Sequence, residues 1–188
     1  MLNIFLLFTA ITLFPWLSVK KAFKAKSIPA QQAVYNEFAG KLFFLGQGFG
    51  EIPCVIENEC DCCNSNLLFI SANEFILNEL CEGSESVTKG KYKVEGKVLT
   101  LIYEPLIINY NYNWEIEVNP KAQEYTFEII KKPISPTKYQ LEKCNGKTIL
   151  ALRKKGGDEF GKFDPTSNNA EKIKELKEKG IWKKLGFK

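Results

Sequence analysis

From residue 90 onward the chain alternates apolar and polar positions with few breaks. In the run GKYKVEGKVLTLIY, Tyr92 and Val94 fall on one side of an extended strand, while Lys91, Lys93 and Glu95 fall on the other. A period of two is the mark of a half-buried strand. Glu95-Gly96 reads as a hairpin turn, after which Leu99, Leu101 and Tyr103 continue the apolar side. Farther on, Leu106, Ile108, Tyr110, Tyr112, Trp114, Ile116 and Val118 hold alternate positions, with Ile107, Asn109, Asn111, Asn113, Glu115 and Glu117 between them. This predicts one long strand over 106–118 with Tyr110, Tyr112 and Trp114 on the same, mainly buried side. Fully extended it would span about 43 Å, far beyond the usual ~17–20 Å, so it should bend and carry a bulge.

The neighbouring segments fit the same plan. KLFFL at 41–45 is apolar and is followed by Gly46, Gly48 and Gly50, which read as a loop. LLFIS and EFILNEL flank a turn at Ala72-Asn73. EYTFEII sets Tyr125, Phe127 and Ile129 on one face, and the Pro133/Pro136 segment then interrupts the sheet. KYQLEKCNGKTILAL turns at Asn145-Gly146, the strongest short hairpin signal. A short N-terminal helix is expected at 31–39. After Lys155, GGDEFGKFDPTSNN reads as a polar loop and AEKIKELKEKG as a helix from about residue 169. Asn168 with Glu171 gives a capping box and Gly180 a helix stop. Only Ile173 and Leu176 form its apolar side, which places it outside the sheet. The fold class is mainly β: an antiparallel barrel of about eight to ten strands, since closure removes exposed edges.

Residues 1–27 change the picture in one respect. From Leu2 to Val19 there is no charge, and Lys20, Lys21, Lys24 and Lys26 follow. The stretch reads as an export signal with a small-x-small site at Ala25-Lys26-Ser27, leaving the barrel domain in 28–188. The alternative is an uncleaved membrane anchor, for which the basic flank after the apolar run speaks. Without these 27 residues the charge is balanced, 22 basic against 22 acidic side chains, and Arg153 is the single arginine. Nucleic-acid binding, which wants guanidinium groups on a basic face, is therefore not expected. Contact with a membrane is expected only through the N-terminal segment. Fourteen asparagines without one Asn-x-Ser/Thr acceptor fit a bacterial envelope, periplasmic or secreted protein.

The six cysteines are Cys54, Cys60, Cys62, Cys63, Cys81 and Cys144. An even number in an exported chain points to structural disulfides. Adjacent Cys62 and Cys63 point in different directions, so each is expected to leave for a separate partner, with Cys54 and Cys81 foremost; Cys144 then pairs with Cys60 or stays free. The alternative is a soft-metal thiolate cluster of Cys60, Cys62 and Cys63. A zinc site of the usual kind lacks its second ligand pair and any histidine.

The run KGKYKVEGKVLTLIYEP resembles small secreted bacterial lipocalin-like (calycin-type) domains, in which a Gly-Lys-Tyr strand precedes an EGK-LTL hairpin partner. The likeness extends in organisation over about residues 40–185 and includes a helix after the last strand. Gly40-Lys41-Leu42 stands where lipocalins carry Gly-x-Trp, and Arg153 where they carry a late arginine packed over the first strand. The resemblance implies a fold more than a ligand.

With no histidine, Ser-His, Cys-His and His-metal chemistry cannot be built from this chain, and no phosphate-binding glycine loop opens a helix. The function expected is that of an exported, non-enzymatic binding module without cofactor, holding a small apolar ligand in a cavity walled by Tyr92, Tyr103, Tyr110, Trp114 and Phe127. A structural or inhibitor-like envelope protein working through protein contacts is the alternative, and thiol-based metal binding the second alternative.

Overall fold

The computed structural model describes residues 37–48, 63–81, 84–153, 158–163, 165 and 169–188. The expectations for residues 1–27, for most of the helix at 31–39 and for Cys54, Cys60 and Cys62 lie outside the described residues. Glu37 and Phe38 are helical. Among the described residues nine strands follow: β1 Leu42–Gly48, β2 Cys63–Phe69, β3 Glu74–Cys81, β4 Ser84–Glu95, β5 Val98–Tyr112, β6 Tyr125–Ile130, β7 Thr137–Cys144, β8 Lys147–Leu152 and β9 Asp158–Phe163. Helices α1, Asn169–Glu178, and α2, Ile181–Lys184, end the chain.

Every strand pairing is antiparallel. Running β1-β2-β3-β4-β5-β7-β8-β9, the sheet returns to β1 and closes an eight-stranded barrel. β6 is the ninth strand, an extra ribbon on the far half of β5. The 15-residue β5 pairs along one edge with β4, and along the other first with β7 at Val98–Leu101 and then with β6 from Ile107. It bends where Pro105 has no ladder hydrogen bond to give: Gly90 faces Tyr103 but Thr88 already faces Ile107. At this bend a Cβ on Gly90 would come within 2.1 Å of the Ile102 carbonyl oxygen, so only glycine fits.

Of the two hairpin signals, the Asn145-Gly146 turn is as read and the Glu95-Gly96 turn falls one residue later. Cys144 pairs with Lys147 across Asn145 and Gly146, both at positive φ, and Glu95 pairs with Val98 across Gly96-Lys97. Two expected loops are corrected. DEFGKF is no loop but β9, the strand that closes the barrel between β8 and β1. Its inward positions are Glu159, Gly161 and Phe163, too mixed for a hydrophobic pattern to register. β1 likewise runs on through Gly46 and Gly48, which pair with Phe160 and Asp158 instead of forming a loop.

Two apolar layers result. Phe43, Leu45, Leu67, Phe69, Phe75, Leu77, Tyr92, Val94, Leu99, Leu101, Tyr139 and Leu150 fill the barrel interior. The second layer lies outside, where Leu176, Ile181 and Leu185 press on Leu42, Leu68, Ile76, Val87, Ile108 and Tyr110. Each such fully buried aliphatic side chain contributes roughly 1.5–3 kcal/mol. Gly180, at φ 74°, ends α1 and turns the chain so that both helices use the same wall.

The 106–118 strand is corrected at its far end and in its facing. It stops at Tyr112. Asn113 accepts the Glu115 N–H through its side chain and starts a 3-10 turn over Trp114–Glu117, while its own N–H and side-chain amide donate to the Glu124 and Gln123 carbonyls, so local side-chain bonding ends the ladder here. Tyr110 is buried, but Tyr112 is exposed and Trp114 is 71% exposed. Moreover Tyr110 lies on the outer wall, under the C-terminal helices. The asparagines at 109 and 111 continue the inner face.

Candidate ligand-binding site

The two ends of the barrel differ in chemistry. At one end Phe38 is fully buried among Phe43, Phe69 and Tyr92, with ring centroids 5.6, 5.0 and 6.4 Å away. The Tyr92 hydroxyl donates to the Ser71 carbonyl at 3.0 Å, and Thr148 donates to Glu37, so the plug is tied down at its rim.

Toward the other end the inner face turns polar. On β3, Phe75 and Leu77 belong to the interior core, and the next residue on that face is Glu79. Register carries the change across four strands. Leu77 faces Thr88, which faces Ile107, which faces Ile130. One row farther out, Glu79 faces Ser86, Ser86 faces Asn109, and Asn109 faces Glu128. Ser86 Oγ donates to Glu79 Oε2 at 3.3 Å and Asn109 Nδ2 to Glu128 Oε2 at 2.9 Å. Together with Asn111, Thr126, Cys81, Ser84, Glu85 and Phe127 they line an open cleft of about 700 Å³.

Below the cleft, phenols lead back into the barrel. The Tyr103 hydroxyl donates to Thr137 Oγ1 at 3.0 Å, and the Tyr139 hydroxyl donates to the Glu159 carboxylate. Burial is the main reason why the Tyr103 phenol is pushed up to about 12; the Thr137 hydrogen bond opposes this, and the negative charges of Glu79 and Glu159 add to it. Tyr139 is raised as well, by burial first and then by Glu159. Both phenols therefore remain neutral donors. On the outer wall, Tyr110 donates to Asn78 Oδ1 at 3.1 Å and to Glu85, and burial raises it too. Lys179 joins Glu85 at 3.5 Å to Glu175 at 2.8 Å, tying α1 to β4.

The five aromatic residues expected to wall one cavity are not brought together. Tyr92 is packed in the plugged interior, and Tyr103 borders the polar end of the core. Tyr110 and Phe127 belong to the outer layer, Phe127 reaching the cleft rim, and Trp114 stands on the exposed β5–β6 connection against Tyr112. The residues that do line the cleft, above all Glu79, Ser86, Asn109 and Glu128, escape sequence reasoning because only the register assembles them. The uncharged Asn109 and Asn111 amid an apolar strand were their one signal.

Cys63 and Cys81 face each other across β2 and β3 and form a disulfide at the cleft end. That removes Cys63 as a thiolate, so a metal cluster of Cys60, Cys62 and Cys63 loses a ligand. Cys144 is also disulfide-bonded, which excludes the free-thiol option. Among the described residues no group of three or more Cys, Asp or Glu is placed to hold a metal ion, and no helix is long and apolar enough to cross a membrane. Arg153 pairs with Asp158 and Glu142 and lies over the Phe160 ring of β9, 5.1 Å from its centroid, one strand away from the place the lipocalin likeness implies.

No family model and no curated protein matches the sequence. Among solved structures, the fold is similar to that of a streptavidin-like protein from Bacteroides eggerthii, with a TM-score of 0.54 at 9% sequence identity over 75% of this chain and 89% of that one. At that identity the likeness concerns the fold alone: an eight-stranded antiparallel barrel.

Proposed function

We propose that this chain is a non-enzymatic binding module that holds a small ligand at the polar end of its barrel. The observation that carries the reading is the contrast between the two ends: Phe38 fills one, while the inner face at the other opens into a cleft of about 700 Å³ lined by hydroxyl, amide and carboxylate groups. Ligand sites are concave, largely pre-formed and furnished with a few polar groups, and eight-stranded barrels accommodate one small ligand. The streptavidin-like fold supports the same class of function. The lining moves the ligand from the apolar compound expected from sequence to a polar one. Within the calycin-like class, the GKYKVEGKVLTL run and the helices after the last strand support a lipocalin-like relationship. The Cys63–Cys81 disulfide supports an oxidising, exported location.

Native mass spectrometry of the full chain tests this reading. A small-molecule adduct should accompany the wild type and vanish in Asn109→Trp, which fills the cleft floor. An adduct unchanged by Asn109→Trp would place binding elsewhere.

One observation favours contact with another protein instead: Trp114 and Val118 on the β5–β6 connection are 71% and 86% exposed. A co-purifying protein lost in Trp114→Ser would support that alternative.

A further inference from the structure

The extra strand β6 leaves one edge of the sheet open. Among the described strands it pairs only with β5, in a constant register without a bulge. The Asn113 N–H donates to the Glu124 carbonyl at 2.8 Å, one step before the first ladder pair, Tyr112 with Tyr125. In an antiparallel ladder, hydrogen-bonded pairs alternate with pairs whose backbone groups point away. Thr126 and Glu128, like Glu124, therefore turn their N–H and C=O toward β5, and Tyr125, Phe127 and Ile129 turn theirs to the free edge. No backbone partner meets these edge groups among the described residues. Lysines, proline or a bulge commonly blunt such an edge. Here Lys131, Lys132 and Pro133 come only after the strand, and Ile129 within it is 52% exposed.

The three open positions are symmetric about Phe127, so a second copy related by a twofold axis at Phe127 pairs with all of them. Phe127 then faces Phe127 of the partner subunit, and Tyr125 faces the partner's Ile129, an aromatic and β-branched pair on the outer face. On the cleft face, Thr126 falls opposite the partner's Glu128 in a close, non-hydrogen-bonded pair, where its hydroxyl can donate to the carboxylate. Moving the axis by one residue is worse in either direction. An axis at Glu128 sets two carboxylates directly against each other. An axis at Thr126 leaves Ile129 to pair beyond the strand with Gln123, whose carbonyl already accepts from Asn113 Nδ2 at 2.8 Å.

We infer that the β6 edge is an interface for a second copy of this chain: two copies join edge to edge through Tyr125, Phe127 and Ile129, with the twofold axis at Phe127, and the sheet of one continues into the sheet of the other. The contact is isologous and closes at a dimer. It is a short strand pairing, so the dimer forms reversibly as concentration rises.

The test is sedimentation velocity of the full chain from about 1 μM to about 1 mM, on the wild type, Ile129→Pro, Thr126→Glu, Thr126→Lys and the exposed helical control Glu171→Gln, each checked for an unchanged amide spectrum. Proline at 129 removes an N–H that points to the open edge, where a strand tolerates it. The wild type should form dimers and nothing larger, and the dissociation constant should rise at least about tenfold in Ile129→Pro. Thr126→Glu, set against the partner's Glu128, should weaken the dimer, and Thr126→Lys should tighten it; Glu171→Gln should leave it unchanged. A chain that stays monomeric overturns the inference, as does a dimer indifferent to Ile129→Pro. Shifts of the same sign for Thr126→Glu and Thr126→Lys would overturn the register and with it the axis at Phe127. Should Ile129→Pro fail to fold, the opposed Thr126 variants decide alone.

Discussion

Gly161 of β9 faces Leu45 of β1 inside the barrel so closely that a Cβ on the glycine would sit 2.7 Å from Leu45 Cδ2 and 2.9 Å from Leu150 Cβ. The closing strand can approach its neighbours only because this position lacks a side chain. Gly161→Val should therefore destabilise the fold by about 1–3 kcal/mol through overpacking. Urea unfolding would show this as a lower midpoint with an unchanged slope. Gly161→Ala should fall between the two, because Leu45 Cδ2 is the end of a side chain that can move in part.

Phe38 provides a test of the plugged end. Its ring is fully buried and touches three aromatic rings. Phe38→Ala should cost about 3–5 kcal/mol, measured by the same unfolding method, whereas Trp114→Ala at the exposed connection should stay within about 0.5 kcal/mol.

Acid should loosen the C-terminal helices. Burial works to raise the Glu175 carboxyl, but hydrogen bonds from Lys172 and Lys179 outweigh it and hold the group below its ordinary 4.5. A lowered folded value means that its stabilising contribution is complete above the unfolded value and disappears as pH falls through the folded one. Lys179 is displaced upward by Glu175 and Glu85 against the effect of burial, so its contribution is complete below its ordinary 10.5 and disappears as pH rises through the folded value. For a part-exposed ion pair the amount is about 0.5–1 kcal/mol. Thermal melts between pH 6 and about pH 3 should fall less steeply for Glu175→Gln than for the wild type; identical slopes would remove Glu175 from the account.

Reading the fold from the sequence succeeded where one face of a strand meets water and the other meets the core. Tyr92 and Val94, Leu99 and Leu101, and the Asn145-Gly146 turn are of this kind. It failed at β9, whose inward side is Glu159, Gly161 and Phe163: inside a barrel the decisive property of Gly161 is its lack of volume. It failed again at Tyr110, where α1 and α2 make the outer wall apolar and thereby reverse which side of β5 is dry. The cleft was the least legible feature, since Glu79 and Glu128 are 49 positions apart in the chain and meet only through three strand pairings.

The Cys63–Cys81 bond closes 18 residues at the cleft end. Cys63→Ser/Cys81→Ser should lower stability by about 3 kcal/mol in the chain-entropy treatment. Because Cys81 lines the cleft, the double variant should also lose the small-molecule adduct that native mass spectrometry detects on the wild type, while its remaining fold, seen in the amide spectrum, persists.

The central claim is that ligand enters at the polar end of the barrel, and two-dimensional amide spectra of the full chain, recorded with its bound small molecule and again after that molecule is removed, test it most directly. The account predicts shifts concentrated at Glu79, Ser86, Asn109, Thr126 and Glu128, with Phe38, Tyr92 and Val94 unmoved. Shifts centred on the Phe38 end, on the outer wall under Leu176 and Ile181, or on Trp114 would contradict it.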